Sequence, residues 1–262
     1  MPEAIGGFLN DSVAIVTGGT SGIGRAISLR LASERCHVVA VGRDEIRLQR
    51  TQEELDSAAP GRHLALPLDV RDPLDMQRMA QATINRFGRI DILVCCAGIA
   101  KTSSTRLIPF NVATLPVDEW EAILATNLKG VFLANKAVLP AMVEQQSGFI
   151  LNVSSSPGGL SGQPFASAYC ASKFGIIGFT QSLSEEVAEH GVITQVLVPD
   201  AIDTPLLDGS TLARRLGTPI PASRVADVAL TMIHLGQADT LVAGVIVPSR
   251  LRDHQELRPY GI

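Results

Sequence analysis

Short apolar runs alternate along almost the whole chain with longer stretches whose apolar residues recur at helical spacing. Residues 12–17 hold the run Val13-Ala14-Ile15-Val16, too short for a helix and rich in side chains that suit a pleated strand. A helix follows, with Ala26, Ile27, Leu29 and Leu31 as its apolar positions. The same alternation predicts strand 37–41 and helix 45–58, strand 63–68 and helix 72–87, and strand 90–96 and helix 118–144. Beyond these it predicts strand 149–151 and helix 168–189, strand 192–198 and helix 222–235, and a last strand 240–247. Asp72 followed by Pro73 marks a helix start, because aspartate caps and proline fits the first turn. Seven strands with about six intervening helices predict an α/β fold: a doubly wound parallel β-sheet with helices on both faces. Two stretches lack a period. Residues 101–117, polar and with Pro109 and Pro116, read as a loop on the substrate side, and 205–219, rich in Leu, Gly and Pro, as a mobile lid.

Composition narrows this picture. A chain of 262 residues with 46% hydrophobic and 18% charged residues predicts one domain over 1–262, its core spanning 12–247. A net charge of −4 without a Lys/Arg block argues against nucleic acid or an anionic membrane as partner. The N-terminal residues lack a basic region followed by an apolar one, and no uninterrupted apolar run approaches the roughly 18 residues that span a bilayer. The expected compartment is the cytoplasm. Cys36, Cys95, Cys96 and Cys170 lack metal-ligand spacing and the five histidines are scattered, so no metal is expected. The cysteines read as buried thiols, although the adjacent pair Cys95-Cys96 has the option of a strained disulfide.

The chemistry-bearing residues fall where predicted strands end, which is where ligands of such sheets bind. The first strand runs into Thr17-Gly18-Gly19-Thr20-Ser21-Gly22-Ile23-Gly24. Glycines there permit a tight turn and close backbone approach, and the following helix offers unpaired N–H groups and a positive dipole end; a pyrophosphate suits that combination, as does a purely structural turn. The second strand ends in Gly42-Arg43-Asp44. An arginine at this position favours a ribose 2′-phosphate, hence NADP over NAD, while Asp44 serves either a ribose hydroxyl or the N-cap of the next helix. Asp69, after the third strand, is a candidate for the adenine amino group or for capping its own turn. Ala97-Gly98 after the fourth strand leaves room for a ribose against the backbone. Asn127, inside an apolar helix, reads on its own as outward-facing or backbone-bonded.

The stretch from Asn152 to Lys173 carries Ser154-Ser155-Ser156 at a strand end and Tyr169 and Lys173 four apart at a helix start. That spacing stacks the two on one helix face. Bringing a phenol from near pH 10 to about 7 takes roughly 4 kcal/mol, which an ammonium in a partly dry cleft, helped by a second positive charge, can supply. Taken alone, the pair reads first as a packed Tyr and a solvated Lys. A serine hydrolase is excluded, since no Gly-x-Ser-x-Gly occurs.

In order and spacing these motifs resemble the short-chain dehydrogenase/reductase family over residues 12–247. The resemblance implies a Rossmann fold and an oxidoreductase that moves hydride between a nicotinamide and a carbonyl or secondary alcohol. NADP(H) is the favoured cofactor and NAD(H) the alternative. Its implied catalytic set is Tyr169 as proton donor or acceptor, Lys173 on the nicotinamide ribose and lowering the Tyr pKa, Ser155 on the substrate oxygen, and Asn127 holding a water that links Lys173 to solvent. Its implied cofactor contacts are Gly18, Thr20, Ser21, Gly22, Ile23, Gly24, Arg43, Asp69, Val70, Ala97, Gly98, Tyr169, Lys173, Pro199 and Thr204. Ser155 lies fourteen residues before Tyr169 and Ser156 thirteen; strand register selects Ser155, the commoner family separation Ser156. The chain departs from the family pattern at Cys95-Cys96, where Asn-Asn is common, at Asp200, where Gly is common, and at 245–249. These departures leave open a cofactor-binding sensor or scaffold without turnover. The resemblance also implies a homo-oligomer, dimer or tetramer, assembled through helices 118–144 and 168–189 and the last strand.

Overall fold

The computed structural model describes residues 9–101, 110–200, 202–206, 220–237 and 245–246. The chain runs β1 (Val13–Thr17), α1 (Gly22–Ser33), β2 (His37–Gly42), α2 (Glu45–Ala58), β3 (Leu64–Pro67), α3 (Pro73–Phe87), β4 (Ile92–Cys95), α4 (Val117–Leu124) and α5 (Gly130–Gln145). It continues as β5 (Gly148–Val153), a short α6 (Ser156–Gly159), α7 (Ser167–Val187), β6 (Val192–Leu197), β7 (Ile202–Asp203), β8 (Ile220–Pro221), α8 (Ala222–Gln237) and β9 (Val245–Ile246). Six strands of four to six residues and the two-residue β9 form one parallel sheet in the order β3-β2-β1-β4-β5-β6-β9. The order reverses between β1 and β4, the crevice where such sheets take ligands.

Alternation along each strand builds a core on either face. Ala14 and Val16 of β1 turn toward α1 and α8, packing with Ile27, Leu31, Ala229 and Ile233. Ile15 turns the other way, into a core filled by Met76 and Met79 of α3, Val138 of α5 and Ile176 of α7. This two-sided burial explains why the strands read as continuous apolar runs. Local chemistry sets the helix starts: the Asp44 carboxylate accepts from the Arg47 N–H at 3.0 Å, and Asp72 from the Leu74 N–H at 2.8 Å with Pro73 in the first turn. Asp44 is thus the N-cap of the two roles the sequence allows.

Several boundaries differ from expectation for identifiable reasons. The 118–144 helix is two helices joined by a π-helical turn at Ala125–Lys129, whose extra residue per turn no apolar period announces. The run Val117–Gln145 has the length and mean hydropathy to cross a bilayer, but half of its apolar 18-residue window is buried within the protein, where Val131, Ala134, Val138 and Met142 join the core. His63 falls outside β3 because its ring Nδ1 accepts the Val38 N–H at 3.2 Å. The parallel pair β7–β8 is too short to show a period. Of the expected lid, 207–219 lies outside the described residues, as do 102–109 of the expected loop and, within the last strand, 240–244 and 247.

Candidate active site

Register brings the strand ends level. Thr17 pairs with Cys95, Cys95 with Asn152 and Asn152 with Val196, so the residues that follow them share one edge of the sheet. At β1 the chain turns through Gly18 at φ +66° and Gly22 at φ +51°, a conformation costly for any residue with a Cβ. A Cβ on Gly18 would lie 2.8 Å from the Ala97 backbone, and one on Gly22 3.1 Å from the Thr204 methyl. The glycines therefore let three segments, 18–24, 97–98 and 204, close on one another. Ser21 is the N-cap of α1, yet its hydroxyl makes no capping bond, so the first-turn N–H groups keep their anion-binding capacity. The residues present fit a dinucleotide pyrophosphate.

At the β2 end, Arg43 stands 3.6 Å from the Asp69 carboxylate. Arg71 grips the same carboxylate, Nη2 to Oδ2 at 2.6 Å and Nε to Oδ1 at 3.0 Å, and the Arg71 N–H donates to Oδ1 at 3.0 Å. Burial pushes the Asp69 acid up, but the Arg71 bonds outweigh it and hold it below the usual carboxylate value. Asp69 thus organises its own turn and two cations. Val70 is buried behind it against Gly130, where a Cβ would come 2.9 Å from the valine methyl.

The three serines have three fates. Ser154 donates its hydroxyl to the Lys173 carbonyl at 2.8 Å and its N–H to Leu197. Ser155, extended at φ −163°, is hydrogen-bonded to the Tyr169 hydroxyl. Ser156 opens α6, with its N–H on the Pro199 carbonyl at 2.7 Å. Tyr169 and Lys173 are 9% and 6% exposed. Lys173 Nζ donates to the Val153 carbonyl at 2.9 Å and lies 5.7 Å from the Tyr169 ring centre. Burial pushes the Lys173 ammonium down to about 8, opposed by its charge coupling to Cys96. Burial pushes the Tyr169 phenol up, opposed by the Ser155 bond. The protein's own groups therefore do not bring the phenol toward neutrality: desolvation, the larger effect at this depth, disfavours both charged forms.

Asn127 sits fully buried in the π-helical turn. Its Oδ1 accepts the Ile99 N–H at 2.8 Å, and its Nδ2 donates to the Ile99 carbonyl at 2.9 Å and to Ser172 Oγ at 3.1 Å. The side chain ties the segment after Gly98 to the helix of Tyr169 and Lys173. A Cβ on Gly98 would come 3.4 Å from Asn127 Oδ1 and 3.7 Å from Lys173 Nζ, so all three border the same space. The model of the short chain dehydrogenase family matches residues 12–214.

The chain belongs to that family.

It is 40% identical over 195 residues, 74% of each protein, to a 2-dehydro-3-deoxy-L-rhamnonate dehydrogenase (NAD(+)) of Sphingomonas sp. (strain SKA58). Its fold overlays on levodione reductase with a TM-score of 0.83 at 29% identity, covering 92% of this chain and 97% of that one. The 3-ketoacyl-(acyl-carrier-protein) reductase from Brucella melitensis complexed with NADH overlays with a TM-score of 0.82 at 28% identity, covering 92% and 98%. A short-chain dehydrogenase of this kind is an oxidoreductase of a nicotinamide-dinucleotide-dependent family.

Within this oxidoreductase all four cysteines are free. Burial pushes the Cys96 thiol up to about 12 and raises Cys95 also, so the pair is inert thiol at neutral pH. Cys95 instead joins a buried polar chain, in which Asn135 Nδ2 reaches Cys95 Sγ at 3.5 Å and Asn152 Oδ1 at 3.0 Å, and Asn152 Nδ2 reaches Thr180 at 3.0 Å. Sequence reasoning missed this chain and the role of Arg71. A two-residue Asp-x-Arg spacing was the available signal for the latter.

Proposed function

We propose that the protein is an NADP-dependent oxidoreductase that interconverts a carbonyl and a secondary alcohol, with Tyr169 as general acid and base. The buried Ser155–Tyr169 hydrogen bond, with Lys173 one turn away, carries this reading. It puts two hydroxyls where one substrate oxygen can touch both. Gly18, Thr20, Ser21, Gly22, Ile23 and Gly24 hold the pyrophosphate, and Asp69, Val70, Ala97, Gly98, Pro199 and Thr204 border the rest of the cofactor. A nicotinamide held by these residues would supply or accept the hydride and, when oxidised, would carry a positive charge that favours the phenolate. Ser155 holds the substrate oxygen and stabilises charge developing on it. Tyr169 gives that oxygen a proton in reduction and takes it back in oxidation. Lys173 binds the nicotinamide ribose and passes protons inward. The Asn127 side-chain amide is committed to Ile99 and Ser172, so its part in a relay from Lys173 to solvent falls to its main-chain carbonyl in the π-helical turn.

NADP is favoured because Gly42 leaves no acid at the strand end, Asp44 is spent as a cap, and the Arg43 guanidinium is half exposed. The Sphingomonas and Brucella proteins, named with NAD(+) and NADH, make NAD the competing preference. Self-association as dimer or tetramer is supported by Phe132 of α5 and Phe174 of α7, 43% and 47% exposed, large aromatics that favour a covered face; a Phe174→Glu chain with unchanged mass by light scattering would refute that surface. We place the enzyme in the cytoplasm, a compartment that keeps the four thiols reduced; fractionation with the membrane pellet would overturn that. For the reaction itself, Tyr169→Phe is the test: nicotinamide absorbance change with a ketone panel falls at least about 100-fold, and a fully active variant overturns the mechanism.

A further inference from the structure

Position 42 is held to glycine by a neighbour and not by its own backbone. Gly42 closes β2, paired with Pro67 of β3, and its φ is not in the left-handed region, so its conformation is open to residues with a side chain. Yet a Cβ there would lie 2.5 Å from Thr20 Oγ1, 3.0 Å from its Cγ2 and 3.3 Å from its Cβ. Thr20 is buried in the glycine turn, and the backbone is tied on both sides of the contact. The Gly19 N–H donates to the Val41 carbonyl at 3.1 Å, and the Leu68 N–H to the Gly42 carbonyl at 3.0 Å. Rotation of Thr20 gives no relief. Threonine fills two of its three staggered positions with Oγ1 and Cγ2; both face position 42, so every rotamer leaves one of them there.

The contact decides more than packing. A side chain at 42 would point at the turn that fits a dinucleotide, and an acid is the residue type that bonds the ribose 2′-hydroxyl of NAD from such a strand end. We propose that Thr20 is a specificity-determining residue: its branched side chain keeps position 42 free of any Cβ, and so of the acid that would favour NAD. The cofactor preference is then encoded twice, by the Arg43 guanidinium and by a steric block that a substitution at 42 alone does not overcome. The block needs two γ atoms of whatever element, which separates it from any hydrogen bond that the Thr20 hydroxyl makes. The inference rests on the reading that the adenosine ribose of NADP lies over this turn.

The first test needs no nucleotide. Replacing glycine by alanine where the backbone allows it ordinarily stabilises, whereas overpacking destabilises. Gly42→Ala is expected to lower Tm by about 2–10 °C in the wild-type background and in Thr20→Val. In Thr20→Ser, whose single γ atom can turn away, it leaves Tm unchanged or higher. The second test reads NAD and NADP binding by isothermal titration calorimetry, with and without Gly42→Asp in each Thr20 background, so that any change in grip on the shared pyrophosphate cancels. Gly42→Asp tightens NAD about 10- to 100-fold in Thr20→Ser, the range of a charged hydrogen bond, and does not tighten it in the wild-type or Thr20→Val background. Thr20→Val behaving as Thr20→Ser does, Gly42→Ala as stable as the wild type, or NAD tightened equally by Gly42→Asp in all backgrounds or in none overturns the proposal. A wild type that binds NAD more tightly than NADP overturns it together with the NADP reading. The melting shifts do not depend on nucleotide, so a failed block and a failed cofactor reading are told apart.

Discussion

Lys173 offers a test in which stability and catalysis move in opposite directions. An ordinary lysine holds its proton to about pH 10.4; in the fold, burial lowers this to about 8. Between the two values the unfolded chain binds more protons than the folded one, so stability rises with pH there and is flat below the folded value. At about 1.4 kcal/mol per pH unit the ammonium costs the fold about 3 kcal/mol at neutrality. Lys173→Met, similar in length and uncharged, removes that cost. It also removes the bond from Nζ to the Val153 carbonyl, which offsets about 1–2 kcal/mol. The variant prepared without cofactor is therefore expected to be about 1–2 kcal/mol more stable than the wild type near neutral pH, while hydride transfer is lost. By about pH 10 the advantage has reversed, because the wild type has recovered about 3 kcal/mol that the variant never lost. Urea unfolding followed by Trp120 fluorescence at several pH values gives the difference curve, in which the titrations of all other groups cancel. Parallel curves for the two proteins would show that Lys173 is not a desolvated ammonium, and a variant several kcal/mol less stable at pH 7 would show that its packing outweighs its charge.

Three further outcomes are expected. Ser155→Ala lowers kcat about 100- to 1000-fold, as for loss of an oxyanion donor, while Ser156→Ala stays near wild type; steady-state kinetics with the reverse result would move the role to Ser156. Arg43→Ala raises KM for NADPH about 10- to 100-fold, the range of a charge-assisted bond, and leaves KM for NADH nearly unchanged; equal losses with both would remove Arg43 from cofactor choice. Gly18→Ala loses about 2–5 kcal/mol in urea unfolding, from the positive φ and the crowding against Ala97, and a loss under 1 kcal/mol would mean that the turn relaxes.

The sequence made the sheet legible because its strands are buried on both faces and so stand out as apolar runs. The edge that carries the candidate site followed from it: once 149–151 is a strand, the residues after it, Ser155 among them, fall at the sheet end where Tyr169 lies. Less visible were features that depend on partners distant in sequence. Nothing around Asn127 announces a π-helical turn, and its side chain finds Ile99 only in the fold. Asp69 and Asp44 each allowed two readings, and only the positions of Arg71 and the Arg47 N–H decide how the carboxylates are engaged. The depressed Lys173 ammonium and raised Tyr169 phenol follow from depth, which spacing does not encode.

The Arg43–Asp69–Arg71 cluster bears on how a phosphorylated cofactor would exchange. Arg43 already faces a carboxylate at 3.6 Å, so under the proposed NADP preference a 2′-phosphate would have to compete with a resident counter-ion for the guanidinium. Binding would then be an anion swap, in which Asp69 would fall back on its shorter bonds to Arg71 as the phosphate took over Arg43. The same carboxylate would re-form the pair as the phosphate departed. A site arranged this way would trade some equilibrium affinity for easier release of the spent nucleotide.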